Sequence, residues 1–576
     1  MRINRVEKIT GLTAKAIRLY ESKGLISVSR KENGYRHYTD ENIEALKQIK
    51  LFRSVGVAIS DIKLYLFGVV TIEELMEKRR AEIQKESGKN SEKYRICEAI
   101  LTKGSLDEIK WGEDFSESEG ARRRSSGALS VGIDIGTTTV SAVVYDIDNK
   151  EQQEAYALPH NSYVKAGAFS EQSTEIILEK AKKLLFHILD TYEGVVCIGI
   201  TGQMHGIVYI DSNGKSISNL INWQDKRADI ALECGANTCQ MIKNKTNESI
   251  STGYGIATHY YNMQNGLVPR GAAGICTIMD LFAMEICGSK KPIAHISEGA
   301  SLGMFDVKRN EFKKDKLSLL GIDRNMLPEV TEKSLVVGEC KGIPVSVPIG
   351  DNQASFLGSI AQNRDTMLLN IGTGSQISYA CDSYTELDGT LELRPLIEGK
   401  YLVCGSALCG GFAYSMLEEF FRSYAVSLGL QENSQYSVMN KLATEAFEKG
   451  EDGLLVDACF CGKRSNPDLR GTIRGIDRYS FTPSALILGV LKGMCDELYE
   501  LYEKVPEKKT HIVASGGAIK RTEVLKKIVA QRFNASVTTN KIEEEAATGA
   551  SLFAALAIGK IKYDDGFNEY IGEGQE

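Results

Sequence analysis

At 576 residues the chain is too long for a single hydrophobic core, so several domains are expected. Charged residues at 25% and hydrophobic residues at 43% suit a soluble globular protein, and a net charge of −7 excludes a chain that coats nucleic acid along its whole length. No stretch approaches the ~20 apolar residues that span a bilayer, and the opening MRINRVEKIT lacks the apolar segment of a signal peptide. The expectation is a cytoplasmic protein that does not enter a membrane. Its 13 cysteines are scattered, and the nearest groupings, Cys459 with Cys461 and Cys404 with Cys409, match no zinc spacing, so reduced, buried thiols are expected.

The charge is uneven. Residues 1–54 hold 12 Lys/Arg against 6 Asp/Glu, a basic head on an acidic body, the pattern of a nucleic-acid-binding appendage. Thr13 can cap a helix that runs through Lys23 and ends at Gly24. Val6, Ile9, Leu12, Ile17, Tyr20 and Leu25 can share a small core. In SRKENGYRHY (29–38) Asn33-Gly34 stands between two short extended arms, a hairpin signal. A further helix starts near Thr39, with Ile43, Leu46 and Ile49 on one face, and ends at Gly56; another follows Ser60. These elements make a winged helix-turn-helix over residues 1–67.

The stretch TGLTAKAIRLYESKGLI…NGYRHYTDENIEALKQIKLFRSVGVAISDIKLYL resembles the DNA-binding domain of the MerR family of transcriptional regulators. The resemblance implies that the helix 13–23 enters the major groove of double-stranded DNA, presenting Lys15, Arg18 and Tyr20. It implies that Arg30, Tyr35, Arg36 and Tyr38 on the wing contact phosphates. Residues 68–110 read as a charged helical connector with an incomplete apolar seam of Ile72, Leu75, Met76 and Ile83. In MerR-like proteins a helix in this place pairs with its twin, which implies a homodimer; the sequence by itself also allows a monomeric spacer. Residues 111–128, with almost no large apolar side chains, read as a flexible linker.

Beyond the linker, β-rich and helical runs alternate, an α/β layout. VGIDIGTT (131–138) and MLLNIGTG (367–374) are two copies of one device: an apolar strand, an acidic or amide residue, Ile-Gly-Thr, and a second strand. A strand that turns sharply through Gly and Thr offers backbone N–H groups and a hydroxyl to a phosphate. Two copies suggest duplicated domains, 129–362 and 363–576, closing on a polyphosphate from both sides.

Taken in order, DIGTT, TGQMHG (201–206), NWQDKR (222–227), GDNQAS (350–355), NIGTG (370–374) and ASGGAIKRTEVLKKIVAQRF (514–533) resemble the FGGY family of carbohydrate kinases. The resemblance implies two ribonuclease-H-like domains of the actin/hexokinase type around a cleft, with ATP and Mg2+ as cofactors. TGQMHG, NWQDKR and GYGIATHYYN (253–262) look most like sedoheptulokinase-type ketose kinases; xylulokinases share the GQMHG element. By resemblance Asp351 is the catalytic base that accepts the proton of the sugar hydroxyl, and Asp134 faces the magnesium ion through water. Gly136, Thr137 and Thr138 on one lobe, with Gly372, Thr373 and Gly374 on the other, hold phosphates. Gly516 and Gly517 admit the adenosine to the backbone, although ASGGAIKR differs in detail from the family's glycine-rich form. Gln203, His205, Trp223, Asp225 and Arg227 supply the polar and aromatic groups that sugar recognition needs, with Met204 beside them at the substrate; His160 is given no role. The expected function is ATP-dependent phosphorylation of a ketose by a kinase joined to a DNA-binding head. The rival is a transcription factor whose kinase-fold body only senses sugar, and the retained acids and turns favour the enzyme.

Overall fold

A computed structural model describes residues 3–10, 12, 14–23, 25–26, 28–30, 36–66, 69–87, 97, 101, 123–165, 167–231, 235–360, 365–387, 389–430, 433–463, 466, 468–540, 542–563 and 567–571. Backbone contacts divide the chain into two units. One comprises Met1–Arg124 with Leu189–Glu193 and Glu418–Ser437; the other comprises Ser125–Ile188, Gly194–Leu417 and Val438–Glu576. No described helix is long and apolar enough to cross a membrane.

The head is built from α1 (Ile3–Thr10), α2 (Ala14–Ser22), the strand pair β1 (Ser29–Arg30) and β2 (Arg36–His37), α3 (Asp40–Ser54), α4 (Ile59–Leu66) and α5 (Ile72–Ser87). β1 and β2 pair antiparallel, as a wing requires; the Asn33-Gly34 turn lies outside the described residues, as do Thr13 and Gly24. Thr39 caps α3: its Oγ1 accepts from Asn42 N, and Asn42 Oδ1 accepts from Thr39 N, each at 3.2 Å. Val6, Ile17, Tyr20, Leu25, Ile43, Leu46 and Ile49 fill the core. Ile9, expected among them, is 43% exposed. Val6 and Thr10, four residues apart and tied by the Thr10 hydroxyl to Val6 O at 2.8 Å, take the inner face of α1 and turn Ile9 off it.

The expected seam of the connector also changes partner. Leu75, Met76 and Ile83 of α5 are buried in the head's own core, with Ile72 packed against it, and Arg79 Nε donates to Val55 O at 2.9 Å. A free dimer seam is therefore not what these residues form; a single apolar stripe on α5 satisfies the small head instead. Residues 88–96, 98–100 and 102–122 lie outside the described residues. The linker expectation overreaches at its end, because β3 (Arg123–Ile135) already includes residues 123–128. At the inner end of that stretch Ile147 N donates to Ala128 O at 2.9 Å and Ala128 N to Asp148 Oδ2 at 2.8 Å.

The larger unit contains two sheets of related topology. In the first, β3 pairs antiparallel with β4 (Thr139–Asp146) and β4 with β5 (Glu151–Pro159); on its other side β3 neighbours β6 (Tyr192–Gly202). Helices α6 (Ile278–Cys287) and α7 (Ile296–Leu302) follow in the chain. β7 (Val336–Cys340), β8 (Ile343–Ser346) and β9 (Ile349–Gly350) complete the sheet, with β8 and β9 parallel to β6. Helix α8 (Asp351–Ser359) leaves β9 directly. In the second sheet, β10 (Thr366–Ile371) pairs antiparallel with β11 (Ser375–Cys381), whose other neighbours are β13 (Tyr401–Ala407) and then β12 (Glu392–Pro395). Helix α9 (Gly411–Ser427) follows; β14 (His511–Ser515) and β15 (Ser536–Thr539) then extend the sheet parallel to β10. A hairpin with a third antiparallel strand on one side and parallel strands on the other occurs in both, so the duplication read from the IGT repeats is a duplication of sheets.

One core joins the two halves. Val143 and Tyr145 of β4 share it with Leu368, Leu402 and Phe553. Helix α11 (Glu545–Ala557), which follows the short α10 (Gly517–Arg521) in the chain, packs on β4, β8 and α8. The approach is backbone on backbone. A Cβ on Gly132 of β3 would stand 1.8 Å from Ala547 O, and one on Gly549 would stand 1.8 Å from Ala354 O of α8. Neither position admits any side chain without moving a main chain. Gly549→Ala is expected to cost at least about 1–3 kcal/mol. Its thermal unfolding midpoint, followed by circular dichroism, should drop accordingly; an unchanged midpoint would contradict the close contact.

Candidate active site

The first IGT turn closes through Gly136 N, which donates to Thr139 O at 2.9 Å. Its carbonyls are then taken up one after another. Gln203 Nε2 donates to Gly136 O at 3.2 Å and His160 Nε2 lies 3.2 Å from the same oxygen. Gln172 Nε2 donates to Thr137 O at 2.8 Å, and His160 N to Thr138 O at 3.1 Å. Trp223, 46% exposed, donates from Nε1 to Thr137 Oγ1 at 2.9 Å. With these acceptors engaged, the turn offers a ligand its donors. The second turn is built alike: Gly411 N donates to Gly372 O at 2.8 Å, and Gly410 N and Phe412 N to Thr373 O at 3.1 Å.

Neither turn takes its glycines through left-handed backbone. Gly136, Gly372 and Gly374 are not at positive φ; what they contribute is the missing side chain. A Cβ on Gly372 would come no closer to its neighbours than 3.6 Å, at Asn370 Oδ1, so the space before it is open. Gly516 does need its freedom. Its φ is +92°, and a Cβ would stand 2.5 Å from Ile371 O, which presses the Gly516-Gly517 corner, at the start of α10, against the second turn. Asn370 Nδ2 donates to Ser515 Oγ at 2.8 Å across the same corner.

Two acids stand beside the turns, near enough for the charge of one to raise the other. Asp134 lies two residues before the first turn, and Asp351 opens α8. Asp351 Oδ1 accepts from Asn352 Nδ2 at 3.0 Å, and Asn352 Oδ1 accepts from Gln376 Nε2 at 3.0 Å, two residues past the second turn. Burial raises the Asp351 carboxyl; Asn352 and the Arg394 charge draw it partly back. Burial, then Asp351 and Glu544, push Asp134 up to about 8, and its Oδ1 has no hydrogen-bond donor. Facing acids with an unsatisfied oxygen suit a divalent cation, and a hard ion that takes its remaining oxygens from phosphate and water fits the place.

The segment 203–205 joins the acids to the first turn. Met204 is buried, with Sδ 3.9 Å from Asn352 Nδ2. His205 is held at φ +71°: its N donates to Ser301 Oγ at 3.3 Å, Nδ1 sits 2.8 Å from Ser301 O, and its ring lies 4.3 Å from that of Tyr254. Such a conformation in a non-glycine residue is a mark of a constrained site. Gln203, expected at the sugar, braces Gly136 and Gln172 instead. Asp225 and Arg227 face each other. Arg227 Nε is 2.8 Å from Asp225 Oδ1, and its other nitrogens reach Glu171 at 3.0 Å and Asn262 at 2.8 Å; Asp225, Arg227 and Asn262 are deeply buried and Glu171 is partly so. Charges so far from water must be paired, so these two stabilise the loop that carries Trp223 and are not open polar groups. Gln172 and His160 were missed: their partners lie 35 and 24 residues away, and no local pattern announces them.

In the head, Arg18 of α2 is exposed. Arg36 is held by Glu21 at 2.7 Å, which neutralises a charge expected at phosphate. Tyr20 and Tyr38 are buried, a correction to their expected place at DNA; a head this small uses both rings as core. Tyr35 lies outside the described residues, and Lys15 and Arg30 are placed only by backbone, on α2 and β1.

Residues 129–358 match the model of the FGGY family of carbohydrate kinases, N-terminal domain, and residues 372–558 its C-terminal domain. Residues 1–67 match the MerR HTH family regulatory protein model. Among curated relatives, the sedoheptulokinase of Mus musculus is 24% identical over 74% of this chain and 97% of its own. The xylulose kinase of Staphylococcus xylosus is 24% identical over 74% and 91%. The gluconate kinase structure from Lactobacillus acidophilus superposes with a TM-score of 0.68 at 20% identity, covering 78% of this chain and 93% of that one. With paired turns, facing acids and both family domains in order, the chain belongs to the FGGY family of carbohydrate kinases, ATP-dependent sugar kinases that use Mg2+, and carries a MerR-type helix-turn-helix domain at its N-terminus.

Proposed function

We propose that the chain is a cytoplasmic ketose kinase, sedoheptulokinase-like in its substrate, and that its head binds double-stranded DNA. The observation that carries the catalytic reading is the closeness of Asp134 and Asp351 beside two turns whose carbonyls are already engaged. Asp351 accepts the proton of the sugar's primary hydroxyl, its basicity raised by burial and its carboxyl oriented by Asn352. Asp134 would hold Mg2+, which when bound would supply the positive charge that offsets the phosphates. Gly136, Thr137, Thr138, Gly372, Thr373 and Gly374 bind phosphate oxygens, and Gly516 with Gly517 lines the nucleotide. His205 and Trp223 contact the sugar; Met204 packs beside them, and Gln203, Asp225 and Arg227 keep that wall rigid. Two catalytic acids retained in a family of kinases favour an enzyme over a sensor.

Asp351→Asn keeps shape and loses the base. Turnover of the full chain should fall at least ~100-fold with ATP affinity little changed; near-normal turnover would defeat the assignment. For the head, Arg18 is an exposed cation on α2, so Arg18→Ala should cost about 1–3 kcal/mol at a preferred site and less on random DNA. Arg36→Ala, already neutralised by Glu21, should have the smaller effect. Electrophoretic shifts across a salt series measure both, and affinity for either DNA should fall steeply as salt rises. No binding at low salt would contradict the regulator half.

A further inference from the structure

Behind the site lies a pair of acids that phosphoryl transfer does not use. Thr277 caps α6 by accepting from Asp280 N at 3.2 Å, and Asp280 Oδ2 accepts from Thr277 N at 3.1 Å. The Thr277 hydroxyl lies 2.8 Å from Asp280 Oδ2 and 3.4 Å from Glu298 Oε2 of α7, so its single proton can serve only one of them. Asp280 is 1% and Glu298 0% exposed. Both carboxyls thus converge on one hydroxyl, and each is near enough to act on the other. Among the described residues, Asp280 Oδ1 and Glu298 Oε1 have no donor.

Two ionised carboxylates cannot sit in contact in such a place without a counter-charge. The titratable groups facing them, Cys276 beside Thr277 and Asp351 at the start of α8, bring none. His295, which caps α7, is neutral: burial pushes it down to about 3, and its Nδ1 accepts from Ser297 N at 3.3 Å and from the Ser297 hydroxyl at 2.8 Å. We propose that Asp280 and Glu298 share one proton, and that this carboxyl–carboxylate hydrogen bond pins α7 and thereby positions Asp351 and His205. The positioning half rests on the catalytic reading of those two residues. α7 makes both connections within seven residues. Gly350 N, immediately before Asp351, donates to Ser297 Oγ at 3.0 Å, and Ser301 holds His205 through Oγ and its carbonyl. Burial and the Asp280 charge hold Glu298 well above the usual carboxylate range, in keeping with Glu298 as the proton's main owner.

A proton bound in the fold and released on unfolding gives stability that is complete at low pH. It is lost as pH rises from the ordinary glutamate value, 4.5, through the raised one. Glu298→Gln keeps the size and donates an amide hydrogen to Asp280 without needing a proton. The wild-type chain should therefore show the carbonyl stretch of a protonated carboxyl in infrared difference spectra against Glu298→Gln at neutral pH. Its urea midpoint should also fall more steeply with rising pH than the variant's. Glu298→Gln should turn over close to wild type, whereas Glu298→Ala should lose about 100-fold in kcat/KM. If Glu298→Ala fails to fold, Asp280→Asn serves in its place for the spectrum and the pH slope, and should resemble Glu298→Gln. No difference band and parallel pH slopes would overturn the shared proton; wild-type kcat/KM in a folded Glu298→Ala would overturn the positioning. Failure of the Asp351 assignment would show instead as turnover surviving in Asp351→Asn, with band and slope untouched.

Discussion

The contact on which the rest of the larger unit depends is the bare approach of α11 to β3 and α8. At Gly132 and Gly549 main chain lies on main chain with no room for a methyl group. That contact fixes α8 against the first sheet, and α8 begins with Asp351. It also carries α11, from the second half of the duplication, into the packing of the first. Asp134, on the same strand as Gly132, and Asp351, at the head of α8, are thus tied to one rigid element. A carboxyl at the end of such an element needs little further holding to stay in place.

On this frame the chemistry is chiefly a matter of polar satisfaction. The turns proposed to face the phosphates have their acceptors occupied by Gln203, His160, Gln172 and the start of α9, and so present donors to a ligand. A preformed set of donors needs no reorganisation when charge arrives, which is what electrostatic stabilisation of a transferring group demands. Acids whose charge would be costly in isolation lie where a cation or a proton would relieve them: Asp134 and Asp351 beside the turns, Asp280 and Glu298 behind them. The buried Asp225–Arg227–Glu171 pairing does the same with protein charges alone and keeps Trp223 beside Thr137.

Much of this was legible in the sequence. The repeated IGT strands announced duplicated sheets, and the ordered motifs located the segments that converge. The alternation of β-rich and helical runs pointed to the fold class. What stayed hidden was decided by tertiary partners. Asp225 and Arg227 look like free polar groups in NWQDKR, yet their burial beside Glu171 closes them into a network. Tyr20 and Tyr38 carry hydroxyls suited to DNA, but a head of this size needs both rings in its core. Leu75, Met76 and Ile83 have the period of an interhelical seam, and period alone does not say which surface the seam meets. Gln172, His160 and the Asp280–Glu298 pair belong to no motif, because each acts on a residue far along the chain.

Phosphoryl transfer to a ketose hydroxyl is the reaction proposed for this site. The most direct measurement incubates the full chain with ATP, Mg2+ and a panel of ketoses from five to seven carbons, with gluconate and glycerol alongside, and identifies products by phosphorus NMR. A ketose phosphorylated on its primary hydroxyl, with ADP formed in equal amount, is the predicted result. ATP left intact with every acceptor, or hydrolysed without a sugar phosphate, would contradict the account.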